Sequence, residues 1–112
     1  MNSRPPIYTK YYDLLGWILD RVAKFPKNMR FGLVQKIETI ALGLLDLMVE
    51  AVYRKDRAEL YERVNLELEK LRVFLRLSYD RGLLSADQLR YAVGEIDDIG
   101  RMWHGWTKGG RL

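Results

Sequence analysis

Proline is the residue whose placement most constrains this fold, because it interrupts helices. The 112-residue chain contains only Pro5, Pro6 and Pro26, so no proline breaks the stretch from residue 27 to the C-terminus. Apolar residues recur there every three or four positions, which is the period of an amphipathic helix, and no segment alternates apolar and polar residues as a strand does. The sequence therefore predicts an all-α fold.

Local signals divide the chain into four helices. Pro26 ends the first helix, the sequence RKDR at residues 54–57 forms a turn before the third, and Gly82 is the expected left-handed cap of the third. Ser85 and Gln88 have the S-x-x-Q spacing of a capping box, which begins the fourth helix. The predicted helices span roughly residues 9–24, 29–53, 57–80 and 85–106.

Short connections between four helices predict an up-down-up-down four-helix bundle. The chain has 48% hydrophobic and 30% charged residues, a composition that suits one globular domain with a single core. The bundle is expected to comprise residues 9–107, between a flexible N-terminal segment of residues 1–8 and a basic C-terminal tail of residues 108–112. In its first helix the residues at helical spacing include Tyr8, Tyr12 and Leu15.

The third helix carries two apolar faces about half a turn apart. The predicted core face comprises Leu60, Val64, Leu68, Leu71 and Leu75. The second face comprises Leu66, Val73 and Leu77. Two explanations are open for the second face: a core broad enough to include it, or an interface with another subunit of a homo-oligomeric barrel.

Arginines of the third and fourth helices are grouped on particular faces. Arg72 and Arg76 share a face with Glu69 and Tyr79. The fourth helix places four charged residues on one side, namely Arg90, Asp97, Arg101 and Lys108. The net charge is only +4, so the chain permits nucleic-acid binding without requiring it. These faces are either solvated surfaces, with Asp97–Arg101 as an ordinary ion pair, or basic stripes that an oligomer repeats and that bind a phosphate backbone.

The sequence contains no motif for catalysis or metal binding. It has no cysteine, which excludes thiol chemistry and disulfides. His104, the only histidine, has no evident partner for proton transfer, and we expect a surface residue or an interaction with the helix C-terminus. Glu95, Asp97 and Asp98 form a weak ligand pattern, and no phosphate-binding glycine loop or serine elbow occurs. We therefore expect no enzymatic activity, no metal and no cofactor.

The three tryptophans have two possible uses. Trp17, Trp103 and Trp106 are expected to be core or interface anchors, as buried aromatic side chains usually are. Trp106, together with the tyrosines near the N-terminus, could instead stack on the bases of a nucleic acid.

No segment has the properties of a membrane anchor. The most apolar stretch, IALGLLDLMVEAV from Ile40 to Val52, is too short to span a bilayer and contains Asp46 and Glu50. The first twelve residues are polar and contain two prolines, unlike a secretory signal. We expect a cytoplasmic protein that does not bind membranes.

Three stretches together resemble a known group of four-helix-bundle proteins. They are FPKNMRFGLVQKIE, LEKLRVFLRLSYDRGLLS and IDDIGRMWHGWTKGG, and the resemblance covers nearly the whole chain after Tyr8. The group includes the ribosomal-RNA intervening-sequence proteins and Avd, the accessory variability determinant of diversity-generating retroelements. The pieces LRVFLRL and IGRMWHGWTK favour the Avd branch. One departure lies at Trp103 and His104, where the family often has smaller residues.

The resemblance implies a homopentameric barrel with a basic surface and an accessory role in the cytoplasm of a bacterial host. Such a protein binds the retroelement's reverse transcriptase and its template RNA, or an RNA/DNA hybrid, and supports mutagenic reverse transcription and retrohoming. The basic positions of the family correspond here to Arg72, Arg76, Arg90, Arg101 and Lys108. The alternative is a protein-interaction module without nucleic-acid binding, as in the intervening-sequence relatives.

Overall fold

The computed structural model describes residues 6–109, with side chains described through residue 107. Helix α1 spans Pro6–Val22, α2 spans Gln35–Tyr53, α3 spans Ala58–Asp80 and α4 spans Ala86–Gly109. A 3₁₀ helix at Lys27–Met29 and a π-helical turn at Arg30–Val34 lead directly into α2. Residues 6–109 contain no β-strand, which confirms the predicted all-α fold.

Neighbouring helices run antiparallel. Lys10, early in α1, pairs with Glu95 late in the chain at 3.1 Å, whereas Trp17 contacts Tyr91, an earlier residue of α4, with 5.0 Å between ring centroids. The short connections between consecutive helices require the same alternation around the bundle. The up-down-up-down topology predicted from the sequence is therefore confirmed. Both the α1–α2 connection and the α3–α4 turn lie at one end of the bundle.

All four helices contribute to a single core. The predicted core face of α3 is buried as a whole: Leu60, Val64, Leu68, Leu71 and Leu75. The second apolar face of α3 is not part of this core, because Leu66 is 55% exposed, Val73 52% and Leu77 41%. A core broad enough to include these three side chains is thus excluded within the protomer.

The turn between α3 and α4 has the two caps that the sequence predicted. Gly82 has φ +78°, the left-handed conformation that glycine adopts without a steric penalty, and the N–H of Leu83 donates to the carbonyl of Ser78 at 2.8 Å. The N–H of Ser85 donates to the Gln88 amide oxygen at 2.9 Å, and the N–H of Gln88 donates to the Ser85 hydroxyl at 3.1 Å. These bonds fix how the end of α3 meets the start of α4.

The first helix differs from its prediction in start and in register. It begins at Pro6 rather than Thr9, because proline is well suited to the first helical position. Tyr11 is fully buried and donates a hydrogen bond to the carbonyl of Ala41 at 2.6 Å, whereas Tyr12 is exposed. Burial raises the pKa of the Tyr11 phenol above its ordinary value.

The other helix boundaries differ most at the start of α2 and at the end of α4. Regular α-helix begins only at Gln35 in α2, later than the predicted residue 29, since the 3₁₀ and π turns precede it. Helix α4 continues to Gly109, beyond the predicted Trp106. Residues 6–8 of the predicted N-terminal segment belong to α1, and residues 108–109 of the predicted tail belong to α4. Residues 1–5 and 110–112 lie outside the described residues, so their flexibility stays a prediction.

Two tryptophans anchor the end of the bundle opposite the α3–α4 turn. Trp103 is fully buried, and its indole N–H donates to the Tyr61 carbonyl at 3.2 Å. Trp106 is also buried and meets Trp103 edge-on, while the Arg57 guanidinium lies 4.3 Å from the centre of its ring. Both are core anchors, as expected. The alternative use of Trp106 for base stacking is wrong, because its ring is enclosed within the protomer.

Candidate partner-binding groove between α3 and α4

An open groove of about 640 Å³ runs between α3 and α4, near the end of the bundle that carries their connecting turn. Its lining comprises Arg72, Val73, Arg76 and Tyr79 from α3, and Ala86, Leu89, Arg90 and Val93 from α4. Three of the arginines that the sequence singled out therefore lie around one concave surface. Its floor is apolar and its rim is cationic and aromatic.

Helix geometry explains why these side chains meet. Arg72 and Arg76 are one turn apart on α3, so they point to the same side. Because α4 runs antiparallel to α3 after a tight turn, Arg90 in the second turn of α4 lies beside the last turns of α3. The register set by Gly82 and Ser85 thus places arginines from two helices on one groove.

Arg72 connects the two helices. Its guanidinium donates to Glu69 on the same helix and to Asp97 on α4. Partial burial lowers the pKa of Arg72, but the hydrogen bonds to Asp97 and Glu69 and the attraction of both carboxylates outweigh burial and raise it. One of the two sequence interpretations paired Asp97 with Arg101; this pairing is wrong, because Asp97 accepts from Arg72 and Arg101 bonds Asp98.

The other two arginines of the groove are paired within their own helices. Arg76 Nε lies 3.0 Å from Asp80 Oδ1, and Arg90 Nη1 lies 2.5 Å from Asp87 Oδ1. A hydrogen bond to Asp80 and the attraction of its charge raise the pKa of Arg76. Exposed pairs of this kind contribute at most about 1 kcal/mol to stability, so a partner's carboxylate or phosphate can replace the internal one. Together the carboxylates cancel the positive charge of the groove.

The remaining predicted basic residues lie further along α4. Arg72 and Arg101 line a second open groove of about 540 Å³, together with Asn65, Leu68, Ile96, Asp97, Gly100 and His104. His104 is an exposed residue, as one of the two sequence expectations had it, and its Nδ1 lies 2.9 Å from the Tyr61 hydroxyl. Lys108 belongs to α4, but its side chain lies outside the described residues.

Comparison with known families decides what this bundle is. The sequence matches the bAvd-like family model over residues 7–109, which includes nearly the whole of all four helices. The chain belongs to the bAvd-like family. No curated protein is similar enough to the chain to count as a match. The family resemblance predicted from the sequence is thereby confirmed.

A second surface of this bAvd-like chain is apolar and faces away from the core. Leu66, Val73 and Leu77 lie seven and four residues apart, which places them on one outward face of α3. On α2, Leu42, Val49 and Tyr53 have the same spacing and are also exposed. Val73 belongs both to this face and to the groove, so the apolar face and the arginine groove adjoin each other.

Metal and membrane sites are not found among the described residues of the bAvd-like chain. Within residues 6–107, no group of three or more histidine, aspartate and glutamate side chains could hold a metal ion. Over the helices that the structure describes, none combines the length and the apolar character that crossing a lipid bilayer requires.

A basic segment that was not predicted from the sequence spans the connection between α1 and α2 in this bAvd-like chain. Five basic residues and no acidic residue occur between positions 21 and 36: Arg21, Lys24, Lys27, Arg30 and Lys36. The basic residues singled out from the sequence all lie after residue 70: Arg72, Arg76, Arg90, Arg101 and Lys108. A count of charges in short windows would have found the acid-free segment.

Proposed function

We propose that the protein is a non-catalytic accessory protein of a diversity-generating retroelement in the cytoplasm of a bacterial host. In this role it binds the retroelement's reverse transcriptase and template RNA, and supports mutagenic reverse transcription and retrohoming. The observation that carries the proposal is the bAvd-like family match over residues 7–109, which covers the bundle nearly from end to end.

We propose further that the protomers form a homo-oligomer through the outward apolar face of α3. Leu66, Val73 and Leu77 are each about half exposed in the protomer, and burying apolar surface is favourable by about 25 cal/mol per Å². Monomeric soluble proteins rarely leave such contiguous faces uncovered. The family resemblance implies five copies in a barrel.

In this proposal the groove between α3 and α4 contacts the reverse transcriptase. Its apolar floor and its arginine and tyrosine rim have the composition of a protein–protein interface. Its arginines are already paired with Glu69, Asp97, Asp80 and Asp87, so it lacks the excess positive charge that a phosphate backbone requires. Arg101 and Lys108 would extend the same contact along α4.

Copurification with a tagged reverse transcriptase tests this assignment. Arg76→Glu and Arg90→Glu are expected to reduce the amount of retained protein at least tenfold. Each substitution replaces a cation of the groove by a carboxylate next to Asp80 or Asp87, and the resulting negative charge repels a carboxylate of the partner. Arg63→Glu is the matched control, because Arg63 is an exposed arginine of α3 that lies on the α2 side. Equal retention of all three variants would remove the groove from the polymerase contact.

The charge balance in the groove also favours a second candidate function. A module that binds only proteins, without nucleic acid, needs no net positive surface. Direct measurement of RNA affinity separates the two functions. The accessory role predicts RNA binding that weakens steeply with salt, whereas a protein-interaction module predicts no RNA binding.

A further inference from the structure

We propose that a separate surface at the α1–α2 connection binds single-stranded nucleic acid. We call it the α1–α2 surface and define it by Lys24, Lys27, Arg30 and Phe31. The three cations would contact successive phosphates, and the Phe31 ring would stack on a base. The inference rests on the proposed function in that the template RNA is the ligand expected in the cell, and it deepens that function by separating the nucleic-acid site from the polymerase groove.

Unneutralised charge is the first observation that supports this surface. Lys24, Lys27 and Arg30 are all exposed, and among the described residues no carboxylate forms an ion pair with any of them. The nearest acidic residues in sequence are Asp20 and Glu38. By contrast, every arginine of the groove has a carboxylate partner. Phosphate binding gains most where cations are not already paired, because it then releases counterions from the nucleic acid.

Local backbone geometry is the second observation. In a 3₁₀ helix side chains three residues apart eclipse each other, so Lys27 at the start of the 3₁₀ turn and Arg30 directly after it point the same way. The π-helical turn at Arg30–Val34 then presents Phe31 to solvent, with 84% of its surface exposed.

The combination of cations and an exposed aromatic ring selects the class of ligand. Phe31 is an apolar ring next to Arg30 and within a few residues of Lys27, and stacking on bases combined with basic contacts to the backbone is how single strands are bound without sequence preference. A second copy of this chain would bring like charges together at this surface. Bases in a duplex are stacked on each other and do not offer a free face to Phe31.

The charge component can be tested with the full chain and a fluorescent oligouridine of about 20 nucleotides, by anisotropy over a range of salt concentrations. Each phosphate contact on a single strand contributes about 0.7 to the slope of log affinity against log salt. The double variant Lys27→Gln and Arg30→Gln should therefore lower the slope by about 1.4. The double variant Lys55→Gln and Arg63→Gln removes two exposed cations elsewhere, and its slope should equal that of the wild type.

The stacking component needs a different substitution. Phe31→Ala should lower the affinity for oligouridine about fivefold or more, the effect of losing one stacked base, and should leave the affinity for a duplex of equal length unchanged. Tyr53→Ala is the matched control, since Tyr53 is 86% exposed at the opposite end of the bundle. Its affinity for the single strand should not change.

Three results would overturn the assignment, and they can be told apart. If the wild type binds RNA but the slope of the Lys27 and Arg30 variant is unchanged, the α1–α2 surface is wrong and the accessory function stands. If Phe31→Ala lowers the particle mass and leaves RNA affinity intact, Phe31 is a subunit contact. If the wild type binds no RNA at all, both this site and the nucleic-acid part of the proposed function are wrong.

Discussion

Arg72 and Arg76 lie one turn apart on α3, but only Arg72 is bonded to another helix. Its guanidinium joins Glu69 to Asp97 of α4 and its side chain is 34% exposed, whereas Arg76 is 66% exposed and is paired with Asp80 in its own helix. We therefore expect Arg72→Ala to destabilise the protomer and Arg76→Ala to leave its stability unchanged within error.

The magnitude follows from the environment of the Arg72–Asp97 pair. Exposed ion pairs contribute about 0.2–1 kcal/mol, and a third of the Arg72 side chain remains in contact with water that screens the charges. A coupling energy of ~0.5–1 kcal/mol between Arg72 and Asp97 is therefore expected, near the upper end of that range because two separate helices hold the partners. Arg72→Ala should lower the free energy of unfolding by somewhat more than the coupling energy, because it also removes the packing of the aliphatic part of the arginine side chain.

A double-mutant cycle measures this coupling directly. Urea unfolding of the wild type, Arg72→Ala, Asp97→Ala and the double variant gives the coupling energy, and the same cycle for Arg76 and Asp80 is the control. High salt should reduce the Arg72–Asp97 coupling. A coupling indistinguishable from zero at low salt would refute the role of Arg72 as a link between α3 and α4.

The result decides how the groove should be mutated. Charge reversal at Arg72 would place a third carboxylate beside Glu69 and Asp97, so a loss of partner binding could come from the bundle itself. Arg76 and Arg90 are paired within single helices, and their substitution changes the groove surface without this complication.

Two further predictions concern the fold that holds the groove. Trp103→Ala should cost about 3–5 kcal/mol in urea unfolding, since it empties a fully buried site and removes the hydrogen bond to the Tyr61 carbonyl; a loss below about 1 kcal/mol would contradict this packing. Tyr11 has a raised pKa when folded, so its contribution to stability is complete below the ordinary value of 10.0 and is lost as the pH rises above it, by up to ~1.4 kcal/mol per pH unit. Tyr11→Phe should remove this loss of stability at high pH. Urea unfolding of the wild type and of Tyr11→Phe at about pH 8 and about pH 11 tests it.

The parts of the fold that the sequence predicted depend on local patterns. The spacing of Leu60, Val64 and Leu68 identified the buried face of α3, and Gly82 and Ser85 marked a turn whose chemistry only a few residues can supply. The same periodicity placed Leu66, Val73 and Leu77 on a separate face of α3, but only the structure decides that this face is exposed in the protomer. Such patterns depend only on residues close together in the sequence, so they can be recognised without knowing how the helices pack.

The parts that the sequence did not predict depend on tertiary packing. Tyr11 and Tyr12 are adjacent and chemically identical, so which of the two is buried depends on the orientation of α1 relative to α2. The hydrogen bond from Arg72 to Asp97 depends on the distance between α3 and α4, which no spacing along one helix specifies. The π turn at Arg30–Val34 likewise has no sequence signature of its own.

The basic segment was missed for a different reason. Lys24, Lys27 and Arg30 lie at the end of the predicted first helix, in the connection after it and at the start of the predicted second helix, so no single helical face groups them. The overall charge of +4 also conceals how unevenly carboxylates are distributed. In this chain the absence of a neighbouring acid distinguishes one surface from another more clearly than the number of arginines does.

The most direct test of the account is the mass, by light scattering during size-exclusion chromatography, of the protein mixed with the retroelement's reverse transcriptase. We expect the protein alone to elute as a multiple of its 13.2 kDa protomer, fivefold by the family resemblance, and the mixture to elute as one heavier species containing both. A 13.2 kDa particle that elutes apart from the polymerase would contradict the account.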